Sequence, residues 1–86
     1  MLTIWKYSVS IGENIIKLPL IHKWLDFKLQ QTTLCAWALV DDSVLDQSVR
    51  LRVVGTGHEV PKLCGDYVGT AQDGPFVWHC FAETIK

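Results

Sequence analysis

The most motif-like run of the chain is VVGTGHEVP, residues 53–61, in which two glycines are followed by a histidine. A phosphate-binding loop would need a lysine and a following helix whose free N-terminal amides face the anion. Here a strand-like stretch precedes the glycines, but the run contains no lysine, and Pro61 follows three residues after His58. The run therefore favours a turn in which Gly55 and Gly57 adopt positive φ angles or form a bulge.

A second interpretation makes the same run a binding loop. The Thr56 hydroxyl and the His58 imidazole would then contact a ligand or a partner from a shaped turn. Arg50 and Arg52 alternate with apolar residues just before the run and supply nearby positive charge. These four residues are the candidate partner- or ligand-binding residues, and both interpretations stay open at the level of the sequence.

His79 and Cys80 lie together in the apolar run VWHCF. A histidine that shares a strand face with Val77 and Phe81 is typical of a core or cross-strand residue with one satisfied hydrogen bond. Cys80 has no evident cation or helix N-terminus beside it that would activate the thiol. We therefore expect Cys80 to be a small buried hydrophobic residue, on one face with Phe76 and Trp78.

Metal binding and catalysis find little support. The histidines and cysteines with zinc-ligand chemistry are His58, Cys64, His79 and Cys80. His79 and Cys80 are adjacent and would point to opposite faces of a strand, so they cannot both bind one ion.

Candidate catalytic groups are also few. The paired carboxylates Asp41 and Asp42 fall in a turn, where solvation and capping explain them. No serine lies in a nucleophile elbow. The sequence predicts a protein that is not an enzyme and has no metal or cofactor.

The elements that must position these residues are short strands. Most of the chain alternates between apolar and polar residues with a period of two, and no segment shows helical periodicity. The strand-like runs are residues 5–9, 15–19, 25–29, 34–40, 48–54, 67–72 and 76–83. The pattern predicts an all-β fold, a small antiparallel sandwich or open barrel of six to seven strands. The alternative is an α+β fold with one short helix at 43–47 or 60–65.

Several finer expectations follow from turn chemistry and apolar patterning. Residues 12–14 suit a hairpin between the first two strands, and residues 73–75 suit a hairpin between the last two. Pro19 cannot donate to a ladder, which predicts an edge strand before it. The run 34–40 is apolar on both faces and predicts a central strand covered on both sides. Among the tryptophans, we expect Trp37 and Trp78 to be buried.

Length and composition limit the possible functions. The 86 residues predict a single domain, 1–86, and 49% hydrophobic residues can supply its core. The net charge of −1 and the pI near 6.2 disfavour nucleic-acid binding. Three cysteines without close spacing favour a reducing compartment. Neither a signal peptide nor a membrane-spanning apolar run is expected.

The order of motifs resembles an uncharacterised family of small proteins encoded mainly by tailed bacteriophages and prophages. Nearly the whole chain takes part in the resemblance, and the specific elements are WALVD at 37–41 and GTGH at 55–58. The weaker elements are IWKY at 4–7, LP at 18–19, YVGT at 67–70 and VWHCF at 77–81. The chain departs from the family at 20–23, where a glycine turn is usual and this sequence has LIHK. The resemblance implies a viral context and supplies no catalytic residue.

Two functions from different classes remain as hypotheses. The first is a non-enzymatic phage accessory protein in the host cytoplasm that binds and inhibits a host protein, such as a component of CRISPR or another antiviral defence. Abundant aromatic residues, which are enriched at interfaces, favour it. The alternative is a protein that binds or sequesters a small ligand such as a nucleotide signal. A structural phage protein is a third hypothesis. A homodimer that protects the proline-bearing edge at 17–19 is also expected.

Overall fold

The computed structural model describes residues 1–44, 47–62 and 65–85. Within these ranges the chain forms seven β-strands and no helix, so the predicted all-β fold is confirmed. The strands are β1 (Leu2–Val9), β2 (Gly12–Leu18), β3 (Leu20–Gln30), β4 (Thr33–Asp41), β5 (Gln47–Gly55), β6 (Asp66–Asp73) and β7 (Phe76–Ile85). No helix capable of crossing a membrane occurs in the described ranges.

The α+β alternative placed a short helix at 43–47 or 60–65. The described residues of both segments contain no helix. The other residues of the two segments, Leu45, Asp46, Leu63 and Cys64, lie outside the described ranges.

The strands form two antiparallel sheets packed as a sandwich. One sheet has three strands in the order β1-β4-β3, and the other has four in the order β2-β5-β7-β6. The predicted hairpin between the first two strands is wrong, because β1 pairs with β4 while β2 pairs with β5. The predicted edge position before Pro19 is confirmed, since β2 lies at an edge of the four-stranded sheet.

A local hydrogen-bond motif explains why the chain changes sheets between β1 and β2. The Asn14 side chain accepts a hydrogen bond from the Ser10 backbone N–H at 2.9 Å and donates one to the Ser10 carbonyl at 2.8 Å. Gly12 has a φ of 98°, which a residue with a Cβ rarely adopts. The turn residues were recognised correctly, but the turn directs the chain to the opposite sheet.

The core lies between the two sheets. Alternation along β5 turns Val49, Leu51 and Val53 inward, where each is at most 1% exposed, as the sequence predicts. The largest fully buried side chain is Phe27 of β3. Trp78 of β7 is 9% exposed, which confirms its predicted burial.

The prediction for β4 is wrong on one face. β4 is the central strand of the three-stranded sheet, and its inward residues Ala36, Ala38 and Val40 are fully buried. Trp37 and Leu39 point to the other face and are only partly buried. Cys35 on the same face is buried, so this face is covered at Cys35 but only in part at Trp37 and Leu39.

The hairpin between β6 and β7 is confirmed and defines one end of the sandwich. Asp73 pairs with Phe76, which leaves Gly74 and Pro75 as a two-residue loop. Gly74 has a φ of 57°, as required at the first central position of a type II′ turn. On its other side β7 pairs with β5, which places the beginning of β7 next to the end of β5, where the GTGH run begins.

Candidate binding surface at the 55–58 turn

The GTGH run forms a tight turn at the end of β5. The His58 backbone N–H donates to the Gly55 carbonyl at 3.0 Å, and Gly57 has a φ of 86°. A positive φ at the third of four residues is the requirement of a type II turn. The Thr56 N–H donates to the Val77 carbonyl at 3.1 Å and attaches the turn to β7. Because residues 59–62 are irregular, the run has no helix N-terminus with which to bind a phosphate.

The two glycines of this turn have different roles. The predicted positive φ is confirmed for Gly57, but neither a positive φ nor a bulge occurs at Gly55, which pairs in regular register with Trp78. A Cβ atom at Gly55 would lie 2.9 Å from Cε1 and Nδ1 of His58 and 3.1 Å from Cζ3 of Trp78. Gly55 is therefore needed for close approach of two rings.

Three aromatic rings lie together beside the turn, and we call His58, Phe76 and Trp78 the aromatic end. The Phe76 and Trp78 rings are stacked, with centroids 5.9 Å apart and an interplanar angle of 23°. The His58 ring is tilted against Trp78 at a centroid distance of 6.3 Å. Trp78 is buried, whereas Phe76 is 58% exposed and His58 is exposed. The expected burial of Phe76 beside Trp78 and Cys80 is therefore wrong, since Phe76 extends past the core at the strand end.

A shallow cleft of about 260 Å³ lies at the aromatic end. Its lining residues are Gly55, Thr56, His58, Pro75, Phe76, Val77 and Trp78. The backbone around it is held by the 55–58 turn on one side and by the β6–β7 hairpin on the other. The cleft is thus a preformed surface with exposed apolar atoms.

Thr56 lines the cleft and also joins, through its hydroxyl group, a chain of polar groups on the outer face of the four-stranded sheet. Its Oγ1 lies 2.7 Å from Nε2 of His79, and Oγ1 of Thr70 lies 3.0 Å from Nδ1 of the same ring. The Tyr67 hydroxyl bonds to Thr70. Both His79 nitrogens are therefore satisfied, one more than the sequence predicts, and the residue has a cross-strand structural role.

Arg50 and Arg52 lie on the same outer face but are engaged by carboxylates. Arg50 contacts Glu83 at 2.7 Å through Nη1 and Glu13 at 2.9 Å through Nε. Arg52 contacts Glu13 at 3.3 Å through Nη2. With about 3.3 Å of rise per residue, Arg52 and Thr56 are separated by about 13 Å along the chain. The structure therefore brings together two of the four sequence-predicted residues, Thr56 and His58, which both line the cleft. The two arginines do not line it, and both contact carboxylates.

The groups with catalytic chemistry have structural surroundings. Burial raises the pKa of the Cys80 thiol to about 12, which keeps it protonated and weakly nucleophilic. Asp41 accepts hydrogen bonds from the backbone N–H and the hydroxyl of Ser43, and these bonds lower the pKa of its carboxyl group. This confirms the turn-capping role predicted for Asp41.

The metal-ligating side chains in the described ranges are not gathered into a metal site. No three His, Cys, Asp or Glu side chains within the described ranges form a cluster that could hold a metal ion. Cys64, one of the four residues weighed as zinc ligands, lies outside those ranges.

Phe76 is the surface residue that sequence reasoning missed. Its position directly after the Gly74–Pro75 loop was the available signal, because the first residue of a strand after a tight turn lies at the rim of the sheet. Alternation alone assigned it to the core face with Trp78. That face is correct, but the alternation pattern does not tell where along the face the core ends.

Comparison with known proteins gives one finding. A family model described as a domain of unknown function (DUF7352) matches residues 1–86. Neither the curated proteins nor the solved structures contain a significant match. The description of the family names no activity, so the surfaces described above carry the argument for function.

Proposed function

Because the chain belongs to the family described as a domain of unknown function (DUF7352), which names no activity, we infer its function from its surface. We propose that the protein is a non-enzymatic module that binds another protein through the aromatic end. The observation that carries this proposal is the exposed Phe76 ring, stacked on the buried Trp78 ring beside the His58 turn. Burying the exposed part of the Phe76 side chain, which is 58% exposed, contributes about 1–2 kcal/mol.

The arrangement has the features of a binding hot spot. Aromatic anchors that sit on a rigid support dominate many protein interfaces, because little side-chain entropy is lost when they are covered. Phe76 is supported by a buried ring, and the backbone on both sides is fixed by tight turns. Glu59 and Lys62 lie in the exposed segment that follows His58 and would contribute a polar rim.

The partner that we propose is a host protein, and the resemblance to tailed-phage proteins is the reason for this choice. In that context the module acts in the host cytoplasm. It inhibits a component of CRISPR or another antiviral defence by occupying its surface, without chemistry of its own. The surroundings of Cys80 and Asp41, which favour structural roles, support a non-enzymatic function.

The alternative function is the binding of a small anionic ligand such as a nucleotide signal. Two observations weigh against it. Arg50 and Arg52 already contact Glu13 or Glu83, so their charges are offset at close range. At the 55–58 turn, where the sequence analysis places this ligand, the cleft of about 260 Å³ also falls below the roughly 300–1,000 Å³ of typical small-molecule sites.

Affinity capture separates the two functions. The tagged chain is incubated with host lysate, and the bound material is examined by native mass spectrometry. A host protein recovered in a stoichiometric complex, and lost when His58 and Phe76 are both replaced by serine, supports the proposal. A small molecule that remains bound after desalting supports the alternative. Recovery of the same protein with the double variant contradicts the role of the aromatic end.

A further inference from the structure

Four strands lie at the edges of the two sheets, and three of them carry irregularities that discourage further pairing. β3 has register shifts between Ile21 and Lys23 and again between Trp24 and Asp26. β6 has a register shift after Tyr67. β2 is directly followed by Pro19. Bulges and prolines of this kind protect sheet edges from unwanted strand addition.

β1 has none of these protections within the described residues. Its eight residues pair with β4 in unbroken register from Leu2 to Val9, and the strand contains neither proline nor glycine. Leu2, Ile4 and Trp5 are 53%, 59% and 42% exposed. A regular and apolar edge strand is a template for pairing with another chain.

The backbone groups that face the free edge can be identified. The Asp42 N–H donates to the Met1 carbonyl at 3.1 Å, so the backbone groups of residue 1 point toward β4. Antiparallel pairing alternates this direction from one residue to the next. The odd-numbered residues of β1 therefore bond to β4. The backbone N–H and C=O groups of Leu2, Ile4, Lys6 and Ser8 point to the free edge.

Lys6 is the one charged residue in β1, and an edge lysine normally discourages pairing. Here its Nζ donates to Oε1 of Gln30 at 2.7 Å. Gln30 belongs to β3, on the far side of β4. The lysine side chain is therefore drawn back across the outer face of the sheet, away from the edge.

From these observations we propose that β1 pairs with β1 of a second copy, antiparallel and about a two-fold axis at Trp5, so that two three-stranded sheets become one six-stranded sheet. This register places Ile4 opposite the partner's Lys6 and Leu2 opposite the partner's Ser8. The four residues of each β1 whose backbone groups point to the free edge are then all paired, and about eight backbone hydrogen bonds join the two copies. The proposal is independent of the function of the aromatic end.

The neighbouring registers are less favourable. A two-fold axis at Lys6 would place two lysines directly opposite each other, which is destabilising, and would leave Leu2 without a partner in the strand. An axis at Ile4 would leave Ser8 unpaired. An axis at Trp5 brings the two indole rings together in a non-hydrogen-bonded pair, where facing side chains are closest. A second copy fits this edge better than it fits the proline-bearing edge at 17–19 expected from the sequence.

Sedimentation velocity of the full chain at about 1–100 µM tests the pairing. The wild type is expected to sediment as a dimer. Replacement of Ile4 by proline removes an amide that faces the free edge, not one that bonds β4, so this variant is expected to be a folded monomer. Ile4→Val keeps the amide and is expected to remain a dimer. A monomeric wild type, or a folded Ile4→Pro variant that remains a dimer, would overturn the proposal.

Cysteine cross-linking tests the register and does not depend on the proline variant. In this register residue 5 lies opposite residue 5 of the second copy. The Trp5→Cys variant is therefore expected to form a disulfide-linked dimer under mild oxidation. Thr3→Cys is the matched control, because it faces the partner's Tyr7 and should not cross-link to itself. Peptide mapping separates these bridges from bridges that involve the native cysteines. Equal cross-linking of the two variants, or none with Trp5→Cys, contradicts the Trp5-centred register.

Discussion

The imidazole ring of His58 lies over the backbone of Gly55, so closely that a Cβ atom at Gly55 would come within 2.9 Å of two ring atoms. The same missing side chain lets Trp78 approach, at 3.1 Å from the Cβ position. A glycine that looks like part of a ligand loop in the sequence therefore sets the packing of the aromatic end.

Replacing Gly55 by alanine tests this packing. We expect a loss of roughly 1–2 kcal/mol in the free energy of unfolding, because the new methyl group displaces the His58 ring and presses on Trp78. His58→Ala alone should leave folding nearly unchanged, since His58 is exposed. In that background the cost of Gly55→Ala should fall by at least about 0.5 kcal/mol. Urea unfolding of the four proteins measures this, and strictly additive effects would contradict the contact.

Trp78 and Trp37 should differ in their effects on stability. Trp78→Ala removes a ring that is 9% exposed and is expected to cost about 3–5 kcal/mol. Trp37→Ala removes a partly buried ring from an outer face and is expected to cost about 1–2 kcal/mol. Denaturant unfolding followed by circular dichroism gives both values. Equal costs would show that the outer face of the three-stranded sheet is covered in solution.

The buried thiol of Cys80 predicts a dependence of stability on alkaline pH. Burial raises its pKa to about 12 in the folded chain, whereas an unfolded cysteine titrates near the ordinary value of about 8.5. Above that value the unfolded chain releases a proton that the folded chain retains, so the free energy of unfolding falls as pH rises. The decline is at most about 1.4 kcal/mol per pH unit.

Cys80→Ala is the control for this effect, because alanine keeps a small apolar side chain and cannot ionise. The stability difference between wild type and variant is measured at pH 7.5 and pH 10. We expect it to shrink by about 1–2 kcal/mol at the higher pH. Tyr7, whose pKa is also raised by burial, is present in both proteins and cancels in the difference. A difference that is unchanged between the two pH values would contradict the burial of the thiol.

The ion pairs on the four-stranded sheet predict a structural role for Arg50. Arg50→Met keeps the aliphatic stem and removes the contacts to Glu13 and Glu83. We expect only a small loss of stability, because partly exposed ion pairs contribute little, and no change in capture of the partner protein. Capture that fails in a folded Arg50→Met variant would instead support a site that uses the cation.

The sequence allowed the strands and most turns to be predicted, because both depend on local patterns. Val49, Leu51 and Val53 alternate with polar residues and so identified the inner face of β5, and Gly74 identified a hairpin. The pairing of β1 with β4 was not predictable in this way. A turn signal at residues 12–14 shows that the chain reverses, but not which sheet its next strand joins.

The candidate site was only partly predictable for a similar reason. Thr56 and His58 were identified from their position in a glycine turn. Their different contacts, with His79 for Thr56 and with Trp78 for His58, depend on where each side chain leaves the turn. The pairing of Arg50 with Glu83 depends on contacts across β5 and β7. Phe76 could be recognised as part of the site only from the pairing of β5 with β7, which places it in the same cleft as His58.

The most direct test of the proposed function compares two exposed apolar residues with nearly equal exposure. Phe76 is 58% exposed at the aromatic end, and Ile15 is 56% exposed on β2. The dissociation constant of the captured partner is measured by calorimetry for wild type, Phe76→Ser and Ile15→Ser, after circular dichroism has established that all three are folded. We expect Phe76→Ser to weaken binding at least about tenfold, and Ile15→Ser to change it by less than about twofold. Equal affinities for the two variants would contradict binding through the aromatic end.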